Sequence, residues 1–198
     1  MTGTSARPKA ATLPALRARS RALPLGALLA LAACGDGTGV VELSWVFTDR
    51  DGEPMFPGGA LSVGARRDSC DFVGRSSAGT RPVDLRMQLE ICDPMCAGGC
   101  DDPACLVVDP LRFPCTVSRG SNPNIPASDD PYRFTVRAVL ESGDLECIDP
   151  DPTCLAVPGP RERSVEDGLV TDLAVYQLVV NVEQGIDEEI DLEACGCV

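Results

Sequence analysis

Eleven cysteines, at Cys34, Cys70, Cys92, Cys96, Cys100, Cys105, Cys115, Cys147, Cys154, Cys195 and Cys197, restrict what this chain can fold into more than any periodicity in it does. So many thiols either staple a fold through disulfides or gather a metal. The run Cys92-x3-Cys96-x3-Cys100-x4-Cys105 could in principle supply four thiolates to zinc. Structural zinc sites, however, favour two close pairs held apart by a longer loop, and this run is evenly spaced. Disulfides are therefore expected and no metal. The count is odd, so one cysteine has another task. The remaining ten admit about 945 full pairings, which leaves most of the connectivity open.

The odd cysteine is identified by what precedes it. Residues 1–33 hold Arg7, Lys9, Arg17, Arg19 and Arg21 with no Asp or Glu, and end in an apolar run from Ala22 to Ala33. A positive stretch, then an apolar one, then small residues is the layout of a cleaved export signal. Twelve helical residues reach about 18 Å against a hydrocarbon core of about 30 Å, too little to span a membrane. Ala30-x-Ala32 alone would suit plain secretion. Leu31-Ala32-Ala33-Cys34-Gly35, by contrast, resembles a bacterial lipobox, whose Cys takes a diacylglycerol thioether and then a fatty acid on its new amino terminus. The resemblance implies a signal peptide over residues 1–33, lipidation at Cys34, and a bacterial cell-envelope location, with Gly35 in place of Asp permitting export to the outer membrane. Three acyl chains at about 0.8 kcal/mol per buried methylene anchor a protein without a spanning helix. Compartment and thiol count then agree, because exported cysteines meet an oxidising environment.

Cleavage before Cys34 leaves residues 34–198, enough for one domain. The whole chain carries a net charge of −13, and the leader removes basic residues only, so the mature surface is more acidic still. That surface repels phosphate backbones, which excludes nucleic acid as a partner and leaves membrane contact to the lipid anchor. The chain has no His, which removes the usual general base of Ser and Cys hydrolases and the commonest nitrogen ligand for metals. Carboxylates are plentiful, but no spacing singles out a pair. Asp49-x-Asp51-Gly52-Glu53 begins like a calcium loop, lacks a third early oxygen ligand, and has Gly58 where the closing Glu should stand. A hairpin turn is expected there. Asp101-Asp102 and Asp149-x-Asp151 are the other places where calcium could collect, in loops clipped by cysteines. Cys195-Gly196-Cys197 has the look of a redox motif, and structural pairing with each other or with the Cys-rich insert is the favoured reading.

Hydropathy alternates at period two over Val41–Leu43–Trp45–Phe47, over Val83–Leu85–Met87–Leu89–Ile91, and over Tyr132–Phe134–Val136–Ala138–Leu140. Each predicts a strand with one apolar face. Residues 172–182, rich in Val and Leu, read as a strand buried on both faces. Between them, residues 53–80 read as loop with a short strand near Leu61–Val63, residues 92–115 as a Cys-rich insert in which Leu106–Val108 forms a brief strand, residues 121–130 as a polar Asn and Pro segment, and residues 147–160 as an extended loop. The expected layout is a Gly-rich tether over 34–39, a strand domain over 40–182, and an acidic tail over 183–198.

Strands joined by long Pro- and Gly-rich connections, with almost no helical period, predict an all-β fold, a single antiparallel β-sandwich with long disulfide-stapled loops. The order of an early Ser44-Trp45 strand, Cys70 after a loop, an alternating strand, Pro114-Cys115, then Ile125-Pro126 leading to Tyr132-Arg133-Phe134-Thr135-Val136 before Gly143 resembles bacterial Cys-rich outer-membrane-type lipoproteins with an immunoglobulin-like or transthyretin-like sandwich. A Cys70–Cys115 bridge rests partly on this resemblance and partly on spacing, since Cys92, Cys96, Cys100 and Cys105 can satisfy one another. A Cys147–Cys154 bridge is expected from the short, Pro-stiffened interval between the two. The expected function is a non-enzymatic, lipid-anchored envelope protein without cofactor, whose Cys-rich loops meet an envelope protein or a glycan. The alternative is a thiol-disulfide exchange or calcium-dependent binding module.

Overall fold

A computed structural model describes residues 37–56, 70–181 and 189–198. Twelve strands make up almost all of the regular structure there: β1 (Thr38–Thr48), β2 (Pro54–Phe56), β3 (Asp71–Ser76), β4 (Gly79–Cys92), β5 (Leu111–Pro114), β6 (Arg119–Pro126), β7 (Ser128–Ser142), β8 (Leu145–Ile148), β9 (Leu155–Ala156), β10 (Arg161–Val165), β11 (Val170–Val180) and β12 (Glu189–Asp191). Helix among the described residues is limited to single 3-10 turns at Gly99–Asp101, Pro103–Cys105 and Cys115–Val117. The leader, Cys34 and the expected strand near Leu61–Val63 lie outside the described residues.

The strands form two sheets. The first has the order β2-β1-β11-β9, with β6 also on β1, and the second has the order β10-β7-β4-β3-β12, with β5 also on β4 and β8 on β7. Both are mixed rather than purely antiparallel, which corrects the expectation: β1 runs parallel to β11, with Val40 opposite Val170, and β12 runs parallel to β3. Parallel neighbours need a long crossover between them, and here nearly the whole domain separates β1 from β11.

One buried cluster takes in both sheets. The inward faces of β1 (Val41, Leu43, Trp45, Phe47), β4 (Val83, Leu85, Met87, Leu89, Ile91), β7 (Phe134, Val136, Ala138, Leu140) and β11 (Leu173, Tyr176, Leu178, Val180) all belong to it. The three alternating runs read from sequence thus supply 14 of the 31 buried residues of the cluster, because period two places every second side chain on one face. Trp45 is fixed at its indole, which donates to the Cys115 carbonyl at 3.0 Å, and its ring lies 5.8 Å from that of Phe113.

Other expectations are corrected. β11 is buried on one face only, with Val170 and Val175 exposed, because a register shift opposite Glu42 and Ser44 and the left-handed Ala174 (φ 58°) interrupt its alternation. Residues 121–130 are strand rather than loop: β6 pairs with β1, and as an edge strand it tolerates Pro123 and Pro126, which lack the amide a central strand would need. Leu106 makes one bridge to Cys92 in place of the strand expected over Leu106–Val108. Residues 147–160 contain parts of β8 and β9. The tether is shorter than expected, since Thr38 and Gly39 already pair with Pro126 and Ile125. The acidic end of the chain is not a tail, because β12 pairs with β3 and Ile190, Leu192 and Cys195 are buried.

Candidate functional site

All ten cysteines after Cys34 are bonded: Cys70–Cys115, Cys92–Cys100, Cys96–Cys105, Cys147–Cys197 and Cys154–Cys195. Cys70 and Cys115 form the pair expected, with Cα atoms 6.0 Å apart. It ties the start of β3 to the turn after β5, two elements that flank β4 on the same edge. The four cysteines of the insert pair among themselves, and the two links interleave in sequence.

Cys147 and Cys154 are not bonded to each other, which corrects the expected bridge. Cys147 lies on β8, in the second sheet, whereas Cys154 directly precedes β9, in the first. Pro150 and Pro152 therefore stiffen a crossing between sheets instead of closing a loop. The C-terminal turn fills the gap: Cys195 takes Cys154, Cys197 takes Cys147, and the Asp151 amide donates to the Cys195 carbonyl at 2.9 Å. Cys195 and Cys197, like the four cysteines of the insert, are residues whose partners sequence spacing left open. Their only signal was a close Cys-x-Cys pair facing a close pair of cysteines elsewhere. The two sulfurs of the motif are therefore not joined to each other, each being bonded to a partner more than forty residues away.

Three of the carboxylates read as possible calcium ligands, Asp49, Asp102 and Asp151, accept from nearby backbone amides. Asp49 Oδ1 accepts from the amides of Asp51 at 3.0 Å and Glu53 at 2.9 Å, which makes the segment the expected hairpin turn. Asp102 Oδ1 accepts from Ala104 and caps a 3-10 turn. Asp151 Oδ1 accepts from the Thr153 hydroxyl at 2.7 Å and amide at 2.8 Å, and those bonds hold its carboxyl below the usual range. Asp149 pairs with Arg137. Among the described residues no three Cys, Asp or Glu side chains are grouped as a metal would require.

Charges on the outer face of the second sheet form a closed network. Arg86 pairs with Glu141, Arg112 with Glu141 at 3.2 Å and with Glu146, and Arg137 with Glu90 at 2.8 Å. Gln88, only 3 % exposed, links them, accepting from Arg112 at 3.0 Å and donating to Glu90 at 2.9 Å. Such a face presents paired charge, with its groups bonded sideways to one another. One like-charge contact stands out. Asp71 lies opposite Asp84 in the β3–β4 ladder, and partial desolvation together with the shared hydrogen bond and charge of Asp71 raises the Asp84 carboxyl above its ordinary value. Both side chains are exposed, so the pair meets solvent and not a closed site.

One part-buried polar arrangement links the two sheets, from β10 of the second to β11 of the first. Arg161, on β10, lays its guanidinium 3.8 Å from the centroid of the Tyr176 ring and donates to the Leu173 carbonyl and, at 2.8 Å, to the Val175 carbonyl. These are the carbonyls around the β11 bulge, so one Arg closes the gap that the irregularity opens. The Tyr176 hydroxyl is buried with no hydrogen-bond partner among the described residues, and burial pushes its phenol above the usual value against the opposing charges of Arg161 and Arg163. Two open grooves mark the surface of the described residues: one of about 430 Å³ against Phe72, Val73 and Pro82, and one of about 530 Å³ between Asp129, Ser164, Glu166 and Asp167. The chain matches no protein-family model, no curated protein and no solved structure.

Proposed function

We propose that this protein is a lipid-anchored, non-enzymatic module of the bacterial cell envelope, an immunoglobulin-like or transthyretin-like sandwich held to the outer membrane through Cys34. The observation that carries the reading is the complete pairing of the other ten cysteines, which leaves Cys34 over in the one sequence context that suits lipidation. Among the described residues, ten cysteines are committed to disulfides, several outward-facing charges of the second sheet to ion pairs, and turn carboxylates such as Asp49 and Asp151 to nearby amides. What remains available is surface for binding an envelope protein or a glycan. The interleaved Cys92–Cys105 insert, which holds Met95 out at 73 % exposure, is the most prominent such surface. Replacing Cys34 with Ser tests the anchor. The unaltered protein should partition into the detergent phase of a membrane extract and the variant into the aqueous phase, and a variant that stays with detergent would overturn the reading.

A further inference from the structure

The strand that leaves the proposed anchor is gripped, at its very start, by a turn that displays two adjacent apolar side chains. β10 passes into β11 through Glu166-Asp167-Gly168-Leu169, closed by the Leu169 amide donating to the Glu166 carbonyl at 3.2 Å, with Gly168 in the left-handed region (φ 69°). This turn is bonded to β1 from both sides of Gly39: the Gly168 amide donates to the Thr38 carbonyl, and the Val40 amide to the Leu169 carbonyl, both at 2.9 Å. A Cβ on Gly39 would stand 2.6 Å from the Glu166 carbonyl oxygen and 2.7 Å from Val165 Cγ1, so only glycine allows the approach. The corner is therefore rigid. It nevertheless leaves Leu169 54 % and Val170 58 % exposed, side by side, with Val170 opposite Val40.

Its distance from the anchor is limited by the chain. Gly37 is held in place by the Ala127 amide, which donates to its carbonyl at 2.6 Å. Cys34 lies only three residues before Gly37. At 3.8 Å per residue, Cys34 cannot be more than about 11 Å from Gly37 or about 15 Å from Thr38. A lipid-bearing Cys34 sits at the membrane interface, and the headgroup layer is itself several ångströms deep on each side. From these constraints we infer that Leu169 and Val170 rest on the bilayer surface beside the anchor, a second contact that sets which way the domain faces. The inference rests on the lipid-anchor reading above. Charge selects the surface: Glu166 and Asp167 belong to the same turn and Asp129 lines the groove next to it, so the corner suits a zwitterionic interface and is repelled by an anionic one. Two side chains of this size do not hold a protein on a membrane unaided, so the contact orients what the acyl chains retain.

The test uses the full lipidated protein in phosphatidylcholine vesicles, carrying Leu169→Trp in one sample, Val170→Trp in a second, and Asp51→Trp, at the turn beyond the far end of β1, in a third. An unchanged non-reducing peptide map shows that each variant folds. Flotation with the vesicles reports the anchor, and tryptophan emission reports the contact. The expected result is flotation of all three, with a blue shift and loss of iodide quenching for the probes at 169 and 170 and neither change for the probe at 51. If the proteins float and the probes at 169 and 170 stay as open to iodide as the probe at 51, the corner is not a membrane contact although the anchor stands. A blue shift confined to native envelopes and absent from pure lipid overturns it too, in favour of a protein partner. Failure to float removes the anchor and this inference together.

Discussion

Cys154 is bonded to Cys195 with their Cα atoms 5.1 Å apart, which inserts the last turn of the chain between the two sheets. Its companion, Cys147–Cys197, closes nearly the same loop, so the two links are not independent. Once one is made, the other closes a ring of only about eleven residues, and loop-closure entropy then assigns it about 3 kcal/mol, against about 4 kcal/mol for the isolated Cys70–Cys115 link. The double change Cys70→Ala with Cys115→Ala should therefore destabilise more than Cys154→Ala with Cys195→Ala. Removing all four C-terminal partners should cost about 7 kcal/mol, a large share of a typical domain's stability. Urea titrations of the three variants check the order.

Arg161 and Tyr176 give a second expectation. Arg161→Ala removes the donor to the Leu173 and Val175 carbonyls together with the stacked guanidinium, and should cost about 2–3 kcal/mol. Arg161→Lys should recover little of it, because an ammonium cannot reach two carbonyls and lie flat on a ring. Tyr176→Phe, which deletes a buried hydroxyl, should leave stability unchanged or raise it by about 1 kcal/mol. Thermal melts of the three variants separate these outcomes.

The same tyrosine makes stability depend on alkaline pH. Its folded pKa lies above the unfolded value of about 10, so folding favours the neutral phenol. The stability this contributes is present below pH about 10 and is lost as pH rises through the folded value. Tyr176→Phe should flatten that loss in a denaturation series run on either side of pH 10.

Asp84 behaves in the same sense at the acid end. Its folded pKa is raised, so its contribution is present below pH about 4 and is lost as pH rises, which makes the Asp71–Asp84 contact a cost at neutral pH. Asp84→Asn should stabilise the protein at pH 7 by about a few tenths of a kcal/mol, the scale of an exposed cross-strand charge pair, and should lose that advantage by pH 3. An Asn variant less stable at pH 7 than at pH 3, relative to the unaltered protein, would contradict a repulsive Asp71–Asp84 contact.

The parts of the fold that were legible in the sequence are those governed by a local rule. Period-two alternation found β1, β4 and β7 because each has one face in the core. The rule failed at β6, whose Asn and Pro content reads as loop until its place on a sheet edge is known, and at β11, where a bulge sustained by Arg161 moves residues from one face to the other. Chain-distant relationships were the least legible. Nothing near Cys147 or Cys154 reports that β8 and β9 belong to different sheets, and a bridge over a short Pro-rich interval is the natural local guess. Cys70 and Cys115 were found because the four cysteines of the insert lie close enough to satisfy one another, which leaves these two flanking β4.

The mass of the amino-terminal peptide, taken from membrane-derived protein digested without reduction, tests the central claim most directly. The account predicts a peptide beginning at Cys34 that carries a diacylglyceryl group on sulfur and an acyl group on its amino terminus, alongside peptides that together hold five disulfides and no free thiol. A peptide that begins elsewhere, or an unmodified Cys34 found free or bonded to another cysteine, would contradict it.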